Sequence, residues 1–372
     1  MRKKILCLSR APLDFKGGIP EYCKYIYKNL DHNITVANYS LDKKTKINIL
    51  NSYTNINEIT FPSEFVFGTF ALSIKYFLYL CINFKKFEIV HLQHPDPFSS
   101  LIVIFLKLLN WKVKLLITWH AEIYKTYFLF SPALILIDFF TFSISNNLIF
   151  FTPSHVKDSF LAKIIFFRKK IKQIPFIIEH KDKKLQPKSY DVENKNDFII
   201  LSVGRLVKYK GYEYALDAVR KSNKKVKYYI IGDGPLKTKL DLLIKNYNLM
   251  DRVFLLGKVS DKTKEDYFKK SDIFLFPSIS KSEAFGIVQL EAMSHGLPII
   301  NTKLNNGVNY LVPEDIGITA SIKNAENLKN AINNLKSNNK LFCQKSINSI
   351  NRFQQFLSEA EKKSFSNLIN SL

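Results

Sequence analysis

Two carboxylates, Glu283 and Glu291, bracket a run that includes Phe285, Gly286, Ile287 and Val288. The apolar stretch Ile273 to Pro277 ahead of them predicts a buried parallel strand, and the spacing after Glu283 predicts a helix running through Met293. Glu283 then sits in a strand-to-helix loop, and Glu291 lies two helical turns further on. Between them, the backbone N–H groups of Phe285, Gly286, Ile287 and Val288 stand at the positive end of a helix, where an anion or a sugar hydroxyl is readily bound. A loop carboxylate, a helix N-terminus and a second carboxylate on one face suit a sugar nucleotide. An N-capping loop followed by a solvated glutamate satisfies the same spacing.

Other residues point to phosphate. Gly204-Arg205-Leu206 and Lys210-Gly211 fall between a predicted strand, Phe198 to Val203, and a helix beginning at Tyr212. Arg205 offers a forked donor to phosphate oxygens and Lys210 a compact charge, and both can point to one place from such a loop. Gly17-Gly18 follows the first predicted strand, Ile5 to Leu8. A glycine pair there lets backbone approach a phosphate closely, although a plain tight turn needs the same residues. His120 falls at the carboxyl end of the strand Lys112 to Thr118, the end at which open α/β sheets bind ligands; a structural histidine is the alternative. His91, His94 and Asp96 have ligand chemistry, but the neighbouring prolines predict an extended strand-end loop, with His94 facing a ligand cleft, rather than a metal site.

The elements that must hold these residues alternate. Strands at Glu88 to Leu92, Leu148 to Thr152, Lys227 to Ile231, Val253 to Leu256 and Leu297 to Asn301 are separated by helical patterns. Several end in glycine loops, among them Gly232-Asp233-Gly234-Pro235 and Gly257-Lys258-Val259. Repetition of this kind implies a doubly wound parallel sheet. Composition turns polar from Glu179 to Asn196, which marks a linker between two halves. The runs Phe65 to Phe84 and Tyr127 to Ile144 carry one charge each, Lys75 and Asp138, and predict helices that are either core or membrane-facing.

With 372 residues, 47% of them apolar, the chain is long enough for two full cores. Cys7, Cys23, Cys81 and Cys343 lack CxxC spacing, so neither a zinc site nor a disulfide framework is expected. The N-terminal apolar run is too short for a signal peptide, which with the cysteines predicts a cytoplasmic protein. The net charge of +23 is spread over both halves in a Lys-, Asn- and Ile-rich chain, so nucleic acid is not expected as a partner; an anionic bilayer and a diphosphate ligand are.

Gly204-Arg205-Leu206 with Lys210-Gly211, the Gly232-x-Gly234-Pro235 turn, and Glu283 and Glu291 followed by Gly296-Leu297-Pro298 resemble the GT-B glycosyltransferases of family 4, which are retaining and use nucleotide sugars. His94-Pro95-Asp96-Pro97, Ile117 to Glu122 and Asn306 to Tyr310 are similar to a branch with mannosyltransferases of O-antigen and related surface polysaccharides. The resemblance implies two Rossmann-like doubly wound domains facing a central cleft. Residues 1–180 would bind the acceptor, 181–350 the nucleotide sugar, and a helix at 351–372 would cross back. The family's usual tryptophan is absent from that last stretch, which carries Phe353 and Phe356 instead. The resemblance implies that Arg205 and Lys210 hold the donor diphosphate, that Glu283 with the N–H groups of Phe285 and Gly286 holds the sugar, and that Glu291 takes the ribose hydroxyls. Gly17, Gly18, Gly204, Gly234, Ile287 and Val288 would lie against phosphate or ribose, Lys258 and Val259 near the base, and His120 near the reacting carbon.

The implied donor is GDP-mannose, with a UDP-hexose as the alternative, and no metal and no tightly bound cofactor is expected. The implied acceptor is a lipid-linked glycan at the cytoplasmic face of the membrane. Two other readings fit parts of the pattern: a nucleotide-sugar epimerase on the same architecture, and a non-catalytic basic protein that binds membranes or nucleic acid.

Overall fold

The structure is a computed structural model that describes residues 2–14, 17–28, 30–40, 55–67, 70–109, 112–121, 130–175, 185–189, 197–357 and 359–372. The chain divides into two compact units, Met1–Glu179 with Ser358–Leu372, and His180–Leu357. The expected 180/181 boundary, most of the expected linker, Glu122 and the stretch 127–129 lie outside the described residues.

The first unit runs β1 (Lys4–Ser9), α1 (Gly18–Lys28), β2 (Asn33–Ser40), β3 (Ile56–Pro62), β4 (Phe65–Phe67), β5 (Phe70–Leu72), α2 (Ile74–Asn83) and β6 (Ile89–His94). It continues with α3 (Pro97–Leu109), β7 (Lys114–Trp119), α4 (Ser131–Ile144), β8 (Asn147–Phe150), α5 (Pro153–Asp158), α6 (Ile165–Arg168) and β9 (Ile171–Gln173). Seven of these strands form a sheet in the order β3-β2-β1-β6-β7-β8-β9. Every pairing in it is parallel. Parallel strands are buried on both faces and so read as unbroken apolar runs: Ile5, Leu6, Cys7 and Leu8 are all fully buried. Tyr76 and Leu80 of α2 and Ile102, Val103 and Leu106 of α3 pack on Val90, Leu92, Leu115 and Ile117 of the sheet. Each such side chain contributes roughly 1.5–3 kcal/mol by leaving water.

The run Phe65 to Phe84 is not one helix. Its first part is the antiparallel hairpin β4-β5, and only then does α2 begin. Ser73 makes the break: it is extended (φ −131°) and its hydroxyl accepts from Tyr76 N at 3.3 Å, capping the helix, while Glu64 accepts from Ile74 N at 2.8 Å. Phe65 and Val66, aromatic and β-branched, suit the pleat better than a helix interior.

The second unit runs β10 (Phe198–Val203), α7 (Tyr212–Lys221), β11 (Val226–Ile231), α8 (Lys237–Asn246), β12 (Val253–Gly257), α9 (Asp261–Lys270) and β13 (Ile273–Phe276). After these come α10 (Val288–Ser294), β14 (Ile299–Thr302), α11 (Gly307–Leu311), β15 (Ile318–Ala320), α12 (Ala325–Ser337) and α13 (Asn339–Gln355). Its parallel sheet has the order β12-β11-β10-β13-β14-β15, so the winding reverses between β10 and β13. That reversal brings the loop after β10 beside the loop after β13. α13 is tied to this unit by Ser346 Oγ donating to Gly296 O (2.6 Å) and Ser349 Oγ to Leu297 O (2.9 Å), and Phe353 and Phe356 are buried.

The final helix, α14 (Glu359–Ser371), is part of the first unit. There Lys3 Nζ donates to Ile369 O (2.9 Å), Asn370 bonds His32 (3.0 Å), and the Phe365 ring packs against Tyr27 and His91.

Candidate functional site

In the second unit the loops at the carboxyl ends of β10, β11 and β12 are laced together by backbone. Gly204 N donates to Ile231 O (2.9 Å), Leu206 N to Asp233 O (2.9 Å), Leu236 N to Leu206 O (3.0 Å) and Gly232 N to Gly257 O (2.9 Å). Glycine is required where these backbones touch: a Cβ on Gly234 would meet Leu206 O at 2.5 Å. At Gly211 the left-handed conformation (φ +68°) ends the turn 208–210 and starts α7, which sets Lys210 at the edge of the loop.

Lys210 Nζ forms an ion pair with Glu283 Oε2, with both side chains only 11–12% exposed. The ammonium also lies 4.8 Å from the centre of the Phe276 ring, a cation–π contact at the end of β13. Glu283 is held further by Ser278 Oγ (3.3 Å), and its carbonyl accepts from Asn306 Nδ2 (2.6 Å), whose side chain also caps α11. Gly204 borders the same ammonium, since a Cβ there would come within 3.3 Å of Lys210 Nζ. The neighbouring Tyr209 hydroxyl is pushed up to about 12, first by burial, then by the Glu283 carboxylate, with the Arg205 guanidinium pulling the other way. Arg205 itself is exposed and makes no ion pair among the described residues.

Phe285 and Gly286 lead into α10, which begins at Val288. Gly286 is left-handed (φ +74°), and a Cβ on it would strike the Phe276 ring at 2.8 Å. Because the helix starts this late, Glu291 is in its first turn and not two turns along it. Its carboxylate pairs with Lys264 of α9 at 3.0 Å, both side chains about a third exposed. Ile287 and Val288 are partly exposed at the helix start, where backbone N–H groups lack intrahelical acceptors. Lys258 is exposed and Val259 partly so, beyond the left-handed Gly257 (φ +67°).

In the first unit His120 follows β7 directly. Its N–H donates to His94 O (3.0 Å) and its ring packs edge-on against Tyr22 (5.3 Å). Gln93 presents Oε1 to His120 Nε2 at 2.9 Å while its NH2 faces Cys7 Sγ, so Nε2 carries the ring hydrogen and Nδ1 keeps a lone pair. Burial, and then the nearby His91, His94 and His155, lower the His120 pKa well below the ordinary value, so the ring is neutral. Gly17 precedes α1, its carbonyl accepting from Glu21 N (3.2 Å), and Gly18 opens the helix.

The histidine-aspartate cluster is structural. His94, expected to face a ligand, is buried and bonded to Asp138 (2.9 Å). Asp96 accepts from Tyr39 (2.6 Å) and Ser99 (2.6 Å), and His91 is held between Tyr27 (2.6 Å) and Thr118 (2.7 Å). Burial of these polar groups is offset by the hydrogen bonds just named, and His94 Nδ1 is left without a partner among the described residues.

Residues 184–352 match the family model described as glycosyl transferases group 1. Over 274 residues the chain is 27% identical to O-antigen chain mannosyltransferase C of Escherichia coli, spanning 72% of this chain and 71% of that protein. The chain is a transferase with a glycosyltransferase group 1 domain. Among solved structures, sucrose-phosphate synthase from Thermosynechococcus elongatus gives a TM-score of 0.80 at 17% identity over 100% of this chain and 99% of that one. HepE of Anabaena, solved with UDP-glucose, gives 0.78 at 18% identity over 100% of both chains. Likeness at such identity speaks for the fold, which is GT-B.

Within the glycosyltransferase domain, the structure groups Gly204, Lys210, Glu283 and Gly286 around Phe276, with Arg205 adjoining through Tyr209. Phe276, Tyr209, Asn306 and Lys264 escaped the reading of the sequence as site residues. Phe276 carries one available signal: it ends the apolar strand just before the Glu283 loop.

Proposed function

We propose that this glycosyltransferase is a retaining hexosyltransferase that moves mannose from GDP-mannose to a lipid-linked surface-polysaccharide glycan at the cytoplasmic face of a membrane. The observation that carries the reading is the Lys210–Glu283 ion pair at the switch between β10 and β13, flanked by the exposed Arg205. Open α/β sheets bind ligands at this place.

Arg205 and Lys210 take the donor diphosphate and stabilise the charge that grows on the leaving group. The Glu283 carboxylate, held by Lys210 and Ser278, accepts hydroxyls of the sugar, assisted by N–H groups of Phe285 and Gly286. Glu291 accepts the ribose hydroxyls, Ile287 and Val288 lie against ribose and phosphate, and Lys258 and Val259 border the base. In the first unit, neutral His120 offers a ring lone pair to a hydroxyl, and Gly17 and Gly18 leave backbone open to phosphate.

The acceptor oxygen bonds to C1 on the face that the phosphate leaves. The C1–O bond to the β-phosphate breaks, and the acceptor proton passes to the departing phosphate oxygen. The products are the glycoside with unchanged anomeric configuration and GDP. A UDP-hexose is the second reading, favoured by the UDP-glucose bound to HepE.

The test incubates the protein with each donor and a lipid-linked acceptor, measuring nucleoside diphosphate release and the anomeric coupling of the product by NMR. Acceptor-dependent release of GDP with retention is expected. Sugar interconversion without an acceptor, or inversion, overturns the reading.

A further inference from the structure

Large apolar side chains exposed to solvent are concentrated in the first unit, which holds sixteen of the twenty found among the described residues. They form stripes. On α2, Ile74, Leu78 and Ile82 recur every four residues on the side opposite the buried Tyr76 and Leu80. On α3, Leu101, Phe105 and Leu108 stand opposite Ile102, Val103 and Leu106. On α4, Leu136, Phe139 and Phe140 are exposed while Leu134 and Phe142 face the core. α2 packs beside α3 and α3 beside α4, so the three stripes lie side by side. Scattered exposed leucines need no explanation, but contiguous stripes on three adjacent helices mark an interaction surface.

Charge identifies the occupant. The three helices carry a single carboxylate, Asp138, and it is buried against His94. Cations flank them: Lys75, Lys85 and Lys86 are exposed at the ends of α2. Beyond α4, where Phe167 packs on Phe139 and Phe142, a cavity of about 490 Å³ is lined by Lys157, Lys163, Arg168 and Gln173 with apolar Val156 and Ile171. Among the described residues no carboxylate lines it. Among the described residues no helix is long and apolar enough to cross a membrane, so the surface lies on its partner and does not span it. In a second copy related by a two-fold axis, the same basic rim would face itself across the interface.

We infer that the outer faces of α2, α3 and α4 form a platform that docks on a bilayer containing anionic lipid, with the Lys157–Lys163–Arg168 cavity taking phosphate headgroups. This rests on the membrane-held acceptor proposed above and assigns its docking surface.

The experiment is flotation of the full chain with vesicles of phosphatidylcholine alone and of phosphatidylcholine mixed with phosphatidylglycerol, at low and high salt. The wild type is expected to float with the anionic vesicles and to be partly released by salt. Leu78→Glu, Phe105→Glu and Phe139→Glu should each weaken binding by about tenfold or more, as burying one such side chain predicts. Lys163→Glu with Arg168→Glu should remove the preference for anionic vesicles. Leu242→Glu, an exposed site of the second unit, should change nothing.

Calorimetric binding of the donor nucleotide and thermal melting, measured on every variant, separate docking from folding. Failure of the wild type to float, equal loss in Leu242→Glu, or a wild-type dimer that the three glutamates dissociate would overturn the proposal. Failure of the functional reading shows differently: donor binding and transfer would be absent while flotation persisted.

Discussion

The two units share a parallel sheet wrapped in helices, yet their helices differ on the outside. α3 of the first unit contains one charged residue, Lys107, which is itself buried and donates to Val113 O. α9 of the second unit is charged everywhere except Thr263, Tyr267 and Phe268. α7 has the ordinary surface pattern: Ala215, Leu216, Ala218 and Val219 face inward, and Asp217 outside pairs with Arg220 (2.6 Å) and Lys221 (2.8 Å). Pairs of that kind stabilise a helix by only about 0.3–0.5 kcal/mol, but they keep the surface wet. The core of each unit obeys one rule, so the difference lies on the outer faces: charged residues cover α9 of the second unit, and apolar stripes run along α2, α3 and α4 of the first.

The comparison breaks if the outer stripe of the first unit is part of its core. Leu106→Ala, on the inner side of α3, should destabilise by about 2–5 kcal/mol, whereas Leu108→Ala on the outer side should fall within about 0.5 kcal/mol of wild type. Denaturant unfolding measures both, and equal losses would mean that the stripe is packed. In the second unit the corresponding probe is chemical: Lys210→Ala should lower kcat/KM about a hundred- to a thousand-fold, beyond any fall in melting temperature from leaving Glu283 without its counter-charge. A fall in stability with activity retained would make the Lys210–Glu283 pair merely structural.

A third effect is the acid sensitivity of the first unit. Burial lowers His91 to about 3 and lowers His120 as well, against about 6.5 in an unfolded chain. Neutral rings therefore stabilise the fold fully above about pH 6.5; the His91 contribution is lost as pH falls toward about 3, with a slope of up to about 1.4 kcal/mol per pH unit, and His120 acts in the same direction. Glu58, whose pKa burial raises, acts in the opposite sense: its contribution is present in acid and lost as pH rises through the raised value. Urea midpoints at several pH values should fall in acid for the wild type and fall less steeply for His91→Gln. The smallest effect expected is that of Lys264→Met, which frees Glu291 from its partly exposed pair and should change donor affinity only a few-fold by calorimetry.

The fold was largely legible because parallel strands are dry on both faces. Phe198–Val203 reads as a strand with the same limits that the structure has, and the stretch Ile273 to Pro277 runs one residue past its strand. Phe65 to Phe84 misled because it lacks polar periodicity, and a single serine decides where hairpin yields to helix. Glu291 was misplaced along α10 because a left-handed Gly286 delays the helix start, which side-chain spacing does not record. His94 was expected at a ligand face, but its partner Asp138 lies on α4, three elements later, and such a pairing exists only once the chain has folded. The same holds for Lys210 and Glu283, each singled out alone and joined only because β10 lies beside β13.

The most direct test of the central claim is isothermal calorimetry of GDP-mannose and UDP-glucose with the wild type, Arg205→Ala and Glu291→Ala. The account predicts that the wild type binds one of the two donors and that both variants lose at least about tenfold in affinity, as removing a charge-assisted contact implies. Absence of binding to either donor, or affinity unchanged in both variants, would contradict it.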